Sequence, residues 1–245
     1  MNPVAFTVFG NEIRWYGILI GAAMLLGVYI SYRRAEGFGI PQERILDFSI
    51  ACLPAAVIGA RAWYVIFNWS YYQGDIVKIL NVRHGGLAFH GGLIFAVVTA
   101  FLLCKKWKIN TWSLVDLVAP VIALGQAIGR WGNYFNQEAH GIATNLPWAI
   151  EVDGQMVHPT FLYESVWCFI LFIVLMKLSS SRKFDGQIFL LYGMLYSVER
   201  FFVEWLRTDS LMICGFRTAQ LVSIIAIIVC FFLYYRRSKR NVTQL

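Results

Sequence analysis

The stretch TAQLVSIIAIIVCFFLYY, Thr218 to Tyr235, runs for eighteen positions without a charged side chain, and Arg236, Arg237, Lys239 and Arg240 follow at once. A hydrocarbon core about 30 Å thick is crossed by about 20 apolar residues in a helix, so this stretch has the length and composition of a membrane span with a basic anchor. Six further apolar runs precede it, near Trp15–Tyr32, Phe48–Phe67, Leu87–Cys104, Trp112–Ile128, Thr160–Met176 and Gln187–Leu206. Backbone groups in lipid must be satisfied within the segment, and the runs lack the short alternating stretches of a barrel. An all-α, polytopic membrane bundle of about seven helices is therefore predicted, forming one membrane-embedded domain over residues 1–245.

Composition agrees with the runs. Of the 245 residues, 58% are hydrophobic and 14% charged, against roughly 25% charged in soluble domains. The mean hydropathy of +0.59 spreads that apolar excess beyond what one water-soluble core can hide. A net charge of +7 would suggest nucleic acid in a soluble chain, but basic cytoplasmic loops give the same sum, and no nucleic-acid partner is expected. Thirteen basic residues fall on one side: Arg33, Arg34, Arg44, Lys105, Lys106, Lys108, Lys177, Arg182, Lys183, Arg236, Arg237, Lys239 and Arg240. Six fall on the other, namely Arg14, Lys78, Arg83, Arg130, Arg207 and Arg217, while Arg61 and Arg200 sit within apolar runs. The positive-inside bias places the N-terminus outside and the C-terminus in the cytoplasm. Met1 to Asn11 carries no Lys or Arg, and no small-residue cleavage site follows the first run, so that span is expected to be retained. The five cysteines show no CxxC spacing and read as small buried hydrophobes, with no disulfide or zinc frame.

Charged residues at membrane depth cost at least about 2.5 kcal/mol each at a helix centre, so each needs a partner or a task. Arg61 either snorkels to the outer interface or serves a site. Asp116, at the start of the fourth helix, reads best as an acid favoured by the helix dipole, and Glu164 near the start of the fifth has the same cheap explanation. The segment from Arg83 and His84 to Gly92 repeats His-Gly-Gly. It either seats an anion at a helix start, with His90, or packs tightly through Gly91 and Gly92. If the fourth helix continues past Ile128, Arg130, Asn133 and Asn136 share one face. Tyr196, Arg200, Glu204 and Arg207 recur at i, i+4, i+8 and i+11, forming either a functional stripe or an internal ion pair that holds helices together. In the predicted topology His90, Arg130, His158 and Arg200 all fall at the outer leaflet. Arginines with histidine and amides at that depth suit an anion, and the anion at hand there is a phospholipid headgroup.

The pattern Gly129-Arg130-x-Gly132-Asn133-x-x-Asn136-x-Glu138-x-x-Gly141 resembles the signature of the bacterial prolipoprotein diacylglyceryl transferases. Resemblance continues through Arg14 to Gly17, Gly59-Ala60-Arg61, Phe89 to Gly92, His158-Pro159, Leu162 to Glu164, and Arg200-Phe201 with Glu204 and Arg207. Tyr134 stands where Phe is commoner, and Thr208-Asp209 where many relatives carry Pro-Asp. The resemblance implies a seven-span enzyme of the bacterial cytoplasmic membrane, with its site towards the outer leaflet. It would move diacylglyceryl from phosphatidylglycerol to the lipobox cysteine of a preprolipoprotein signal peptide, releasing glycerol phosphate. It further implies His90, Arg130 and Arg200 as catalytic residues, with substrate bound by Tyr16, Arg61, Asn133, Asn136, Glu138, Gly141, His158, Tyr196, Glu204 and Arg207. Its partners would be that lipid, those peptides and the surrounding membrane lipids. No cofactor or metal is expected, since no metal-ligand spacing occurs.

Two other classes compete. A transporter with an outward-facing anion site would show charges at mid-depth or on both sides, and the candidates here are one-sided. A retinal-type receptor would need a lysine within the seventh helix, and Thr218 to Tyr235 contains none.

The orientation has a direct test. A reporter fused after Leu245 is expected to be active only in its cytoplasmic form, and an extracytoplasmic signal would overturn the outer-leaflet placement as well.

Overall fold

Each of the seven apolar runs is an α-helix in the computed structural model, which describes residues 2–82, 85–213 and 215–242. A hairpin of β1 (Val4–Val8) and β2 (Asn11–Arg14) leads into α1 (Trp15–Arg34). Helix α2 (Gln42–Phe67) is followed by two short helices, α3 (Trp69–Tyr72) and α4 (Ile76–Leu80), then by α5 (Phe89–Trp107) and α6 (Thr111–Asn136). A second hairpin, β3 (Ile150–Val152) and β4 (Gln155–Val157), precedes α7 (Thr160–Ser179) and α8 (Gln187–Val203). The third hairpin, β5 (Met212–Ile213) and β6 (Phe216–Arg217), opens α9 (Thr218–Val242). Among the described residues six helical stretches are long and apolar enough to cross a membrane, so the chain is a multi-pass membrane protein. Helix α8 is not among the six. Its 17 residues rise about 26 Å, and its last turns hold Glu199 and Arg200. A 3₁₀ turn, Glu204–Leu206, follows it directly.

The hairpins are additions to the predicted all-helical plan. In the first, Phe9 and Gly10 both have positive φ, and in the second Asp153 and Gly154 do. That is the geometry of the two-residue turns that match strand twist. Their strands are too short to leave a period-2 signal.

The chain divides into two compact units, Tyr32–Leu114 and the union of Met1–Ser31 with Val115–Leu245. In the first, α2 lies against α5 with backbones almost touching. A Cβ on Gly91 would collide with the Gly59 carbonyl oxygen and Trp63, one on Gly92 would sit 3.1 Å from the Ala56 oxygen, and Ala88 N donates to Ala60 O at 3.0 Å. The tight-packing alternative for Gly91 and Gly92 thus accounts for both. Arg61 is buried and does not snorkel. Its guanidinium donates to the carbonyls of Lys78, Ile79, Gly85 and Gly86 and lies over the Tyr72 ring, fastening the connection between α2 and α5. Arg83 and His84, half of the repeated His-Gly-Gly, lie outside the described residues, as does Cys214.

In the larger unit, Ala119 and Ala123 of α6 meet Leu171 and Leu175 of α7 and Ile188 of α8 in a buried cluster. Asp116 corrects its sequence-based assignment. It lies in the second turn of α6 with no exposure, and its two oxygens accept Gly186 N at 2.7 Å and Phe189 N at 2.8 Å. It is indeed an acid at a helix N-terminus, but the helix is α8, whose first amides it satisfies from seventy residues away. Helix α6 extends through Asn136, eight residues beyond the apolar run, and so carries Arg130, Asn133 and Asn136 out on one face. The cysteines 52, 104, 168 and 230 are free thiols, two of them buried.

Candidate active site

Three helices bring charge together inside the larger unit. Arg130 comes from α6, Glu164 from the second turn of α7, and Arg200 from the last turn of α8. Glu164 is the hub, with a side chain only 1% exposed. Its Oε2 lies 3.0 Å from Arg130 Nη1, an ion-pair contact whose N–H is not aimed at the oxygen. Its Oε1 accepts from Arg200 Nη1 at 3.3 Å and lies 3.7 Å from Arg207 Nη1. Each arginine has a carboxylate of its own as well as this shared one, or shares only this one. Arg200 Nη2 sits 2.6 Å from Glu204 Oε2, and Arg207 grips Asp209 with Nε and Nη2 at 2.9 and 2.6 Å. Arg130 has Glu164 alone, and its Nε and Nη2 make no hydrogen bond among the described residues. The internal Arg200–Glu204 pair foreseen from their spacing therefore exists, within a network of wider reach.

The backbone around the hub is pinned in several places. Ser165 donates to the Ala127 carbonyl at 2.8 Å and accepts from Trp131 Nε1 at 3.1 Å, locking α7 to α6 one residue after Glu164. Thr160 Oγ1 donates to Ala139 O at 2.6 Å, tying the start of α7 to the loop after α6. Within that loop Gln137 and Ala139 adopt φ of 54° and 56°, a left-handed conformation that costs non-glycine residues of order 1–3 kcal/mol each. Gly141 N donates to His158 O at 2.9 Å, Ile142 N donates to Leu206 O at 2.8 Å, and Gly141 bridges to Arg207. A Cβ on Gly141 would lie 2.6 Å from His158 Cβ, so only glycine lets these three segments meet. Arg217 Nη1 donates to the Glu204 carbonyl and fastens the turn that carries Glu204 and Arg207.

The remaining sequence candidates divide. Gly132 gives Tyr16 its place, for the tyrosine ring fills the space a Cβ would occupy. Asn133 and Glu138 line a cavity of about 240 Å³ with His140, Phe161 and strand β3, including Glu151. Asn136 Nδ2 donates to Glu138 Oε1 at 3.1 Å. Tyr196 stacks on Tyr192 with ring centroids 5.7 Å apart. His158 faces Tyr163 rather than an arginine, Nδ1 lying 3.2 Å from the Tyr163 hydroxyl, which also accepts from Trp148 Nε1 at 2.8 Å. His90 opens α5 and Arg61 lies in α2, both in the smaller unit, where the donors of Arg61 are taken by backbone carbonyls.

Glu164 is the residue that sequence reasoning passed over, because a local explanation as a helix-start acid was at hand. The signal available was global. Three arginines assigned to one leaflet require buried counter-charge, and Glu164 is one of the acids on that side with apolar residues around it. Outside the spans, burial alone would raise the Asp209 carboxyl, but the hydrogen bonds and charge of Arg207 outweigh it and hold Asp209 below the ordinary carboxylate value.

Chemically, a guanidinium with uncommitted N–H donors, as on Arg130, is suited to a phosphate oxygen, which a planar fork binds through two parallel bonds. The comparisons bear on that chemistry. The family described as "Prolipoprotein diacylglyceryl transferase" matches residues 3–236. A Finegoldia magna protein named "Phosphatidylglycerol--prolipoprotein diacylglyceryl transferase" is 49% identical over 241 residues, 98% of this chain and 97% of the relative. Proteins of the same name from Clostridioides difficile and Clostridium novyi are 48% and 45% identical, covering 98% of this chain and 97% and 98% of their own. A match that runs through every helix that builds the arginine cluster, at nearly half identity from end to end, has one consequence: the chain belongs to the prolipoprotein diacylglyceryl transferase family.

Proposed function

We propose that the protein transfers the sn-1,2-diacylglyceryl group of phosphatidylglycerol to the thiol of the lipobox cysteine in a preprolipoprotein signal peptide. The sulfur forms a thioether bond to the glycerol carbon, the bond from that carbon to the phosphate oxygen breaks, and glycerol phosphate departs with the electron pair. All 245 residues act as one transferase, placed in the bacterial cytoplasmic membrane with seven crossings, the N-terminus outside, the C-terminus in the cytoplasm and the site towards the outer leaflet. Both substrates are membrane-held, so each can enter sideways. The observation that carries this proposal is the arginine cluster on Glu164, found in a chain whose relatives are named for this transfer. A small-solute or lipid transporter with an outward-facing anion site is not favoured, since the family is one of transferases.

The proposed roles follow from the chemistry of each group. Arg130 and Arg200 take the phosphate, whose negative charge grows as the carbon–oxygen bond breaks; preorganised donors aimed at developing charge are worth about 10²–10³ in rate. A thiol with a reference pKa near 8.5 must ionise to attack, and His90 is assigned that proton. Tyr16, Asn133, Asn136, Glu138 and Tyr196 orient the headgroup and peptide, while Gly141, His158, Glu204 and Arg207 bind substrate by holding backbone and charge in place for it. Arg61 acts by holding its loop.

Incubation of the purified protein with phosphatidylglycerol and a lipobox peptide is expected to yield thioether-linked peptide and glycerol phosphate in equal amounts; absence of either product would refute the assignment. Arg130→Lys keeps the charge but loses the fork, so turnover should fall by about 10²-fold or more while the protein still inserts. Near-parental transfer by that variant would make Arg130 a generic cation. His90→Gln keeps a hydrogen-bonding side chain and loses the ability to titrate. Its deficit should be severe near pH 7 and shrink as the peptide thiol ionises unaided at higher pH. A deficit constant across pH would move His90 to the headgroup-binding set.

A further inference from the structure

Glu199 is a buried carboxyl group beside the arginine cluster to which the proposed mechanism gives no task. It lies on α8 next to Arg200, is 5% exposed, and neither carboxyl oxygen has a hydrogen-bond partner among the described residues. The charged and titratable groups around it come from every neighbouring element: Arg130 from α6, Glu164 and Cys168 from α7, Tyr196 and Arg200 from α8, and Arg207 beyond its end. Those charges are already balanced. Arg130 is matched by Glu164, Arg200 by Glu204 and Arg207 by Asp209. A fourth carboxylate would be buried with no donor to either oxygen and would be repelled by Glu164, which is the costly way to bury a charge. The neutral acid avoids both penalties.

We propose that Glu199 is a positioning residue that acts through Arg130 and Arg200: held as the neutral carboxylic acid, it leaves their guanidiniums available to one phosphodiester anion, and its ionisation turns that anion away. This rests on the assignment of the arginine cluster as the phosphate site. The consequence is a linkage between one proton and one lipid headgroup, and such coupling is reciprocal. A protonated Glu199 strengthens the hold on the phosphodiester, and a bound phosphodiester keeps the proton on Glu199 to higher pH.

The test uses the full-length protein in uncharged detergent with phosphatidylglycerol and no acceptor peptide, so that binding is read without turnover. Affinity is measured from about pH 6 to about pH 9 for the parent and for Glu199→Gln, a neutral side chain of the same size. The ratio of the parent Kd to the variant Kd is expected to rise about tenfold across that range. Parallel profiles, flat or sloping, overturn the role of Glu199. An Arg130→Ala control separates the two claims. If it abolishes binding while the profiles stay parallel, the phosphate site stands and Glu199 has no part in it; if it leaves binding intact, the phosphate site itself fails, and this inference with it. Should the Gln variant fail to insert, the parent alone still decides. Its infrared spectrum should show a neutral carboxyl C=O band that fades as pH rises, and saturating phosphatidylglycerol should move that fading to higher pH. A band that does not respond to the lipid overturns the linkage.

Discussion

A carboxylate with almost no exposure, Glu164, shared by three guanidiniums from α6 and from the end of α8, is the contact on which the rest of the larger unit depends. A buried charge taken out of water costs several kcal/mol unless paired, and breaking such a pair by removing one partner costs about 3–5 kcal/mol. Four ionic side chains at this depth are therefore tolerable only as a set. The set fixes the mutual approach of α6, α7 and α8 and aims Arg130 with two of its nitrogens uncommitted. Stability alone would be served as well or better by apolar packing, and the proposed role of the guanidiniums towards a phosphate gives the set a reason beyond stability.

The surroundings serve that arrangement at the level of backbone. Gly141 lets three loop segments meet, Thr160 and Ser165 pin α7 at both sides of Glu164, and Gly132 opens the space that Tyr16 fills. Large apolar side chains remain exposed on the helices of each unit, such as Ile58, Ile66 and Leu102 in the smaller and Ile225 and Phe231 in the larger. In lipid this is the inexpensive direction for such residues to face, and it leaves polar contacts concentrated inside. The left-handed Gln137 and Ala139 mark where the chain leaves α6 and turns back towards α7, placing Glu138 on the cavity wall with Asn136 donating to it.

Much of this was legible in the sequence, for identifiable reasons. Span length is dictated by the bilayer, so all seven helices could be located from hydropathy, and the 3.6-residue period put Arg130 with Asn133 and Arg200 with Glu204 before any coordinates. What failed was everything that acts across long separations. Asp116 looked like a cap for its own helix because the helix it does cap begins seventy residues later. Glu164 had an adequate local explanation, and nothing local reveals that one acid must answer three arginines. Arg61 looked like a snorkelling or binding residue because its partners are backbone carbonyls, which every sequence position possesses. The β3–β4 hairpin was not foreseen: Asp153-Gly154 is a turn dipeptide, but strands of three residues carry no periodic signal to go with it.

The most direct measurement is the initial rate of diacylglyceryl transfer by Glu164→Gln, with phosphatidylglycerol saturating and with insertion checked by thermal melting. Glutamine preserves the shape and can accept one hydrogen bond, but it cannot neutralise Arg130, Arg200 and Arg207. If Glu164 sets the geometry and charge of the phosphate site, the rate should fall by about 10²-fold or more in protein that still inserts. Transfer within a few-fold of the parent would contradict the dependence of the site on that carboxylate.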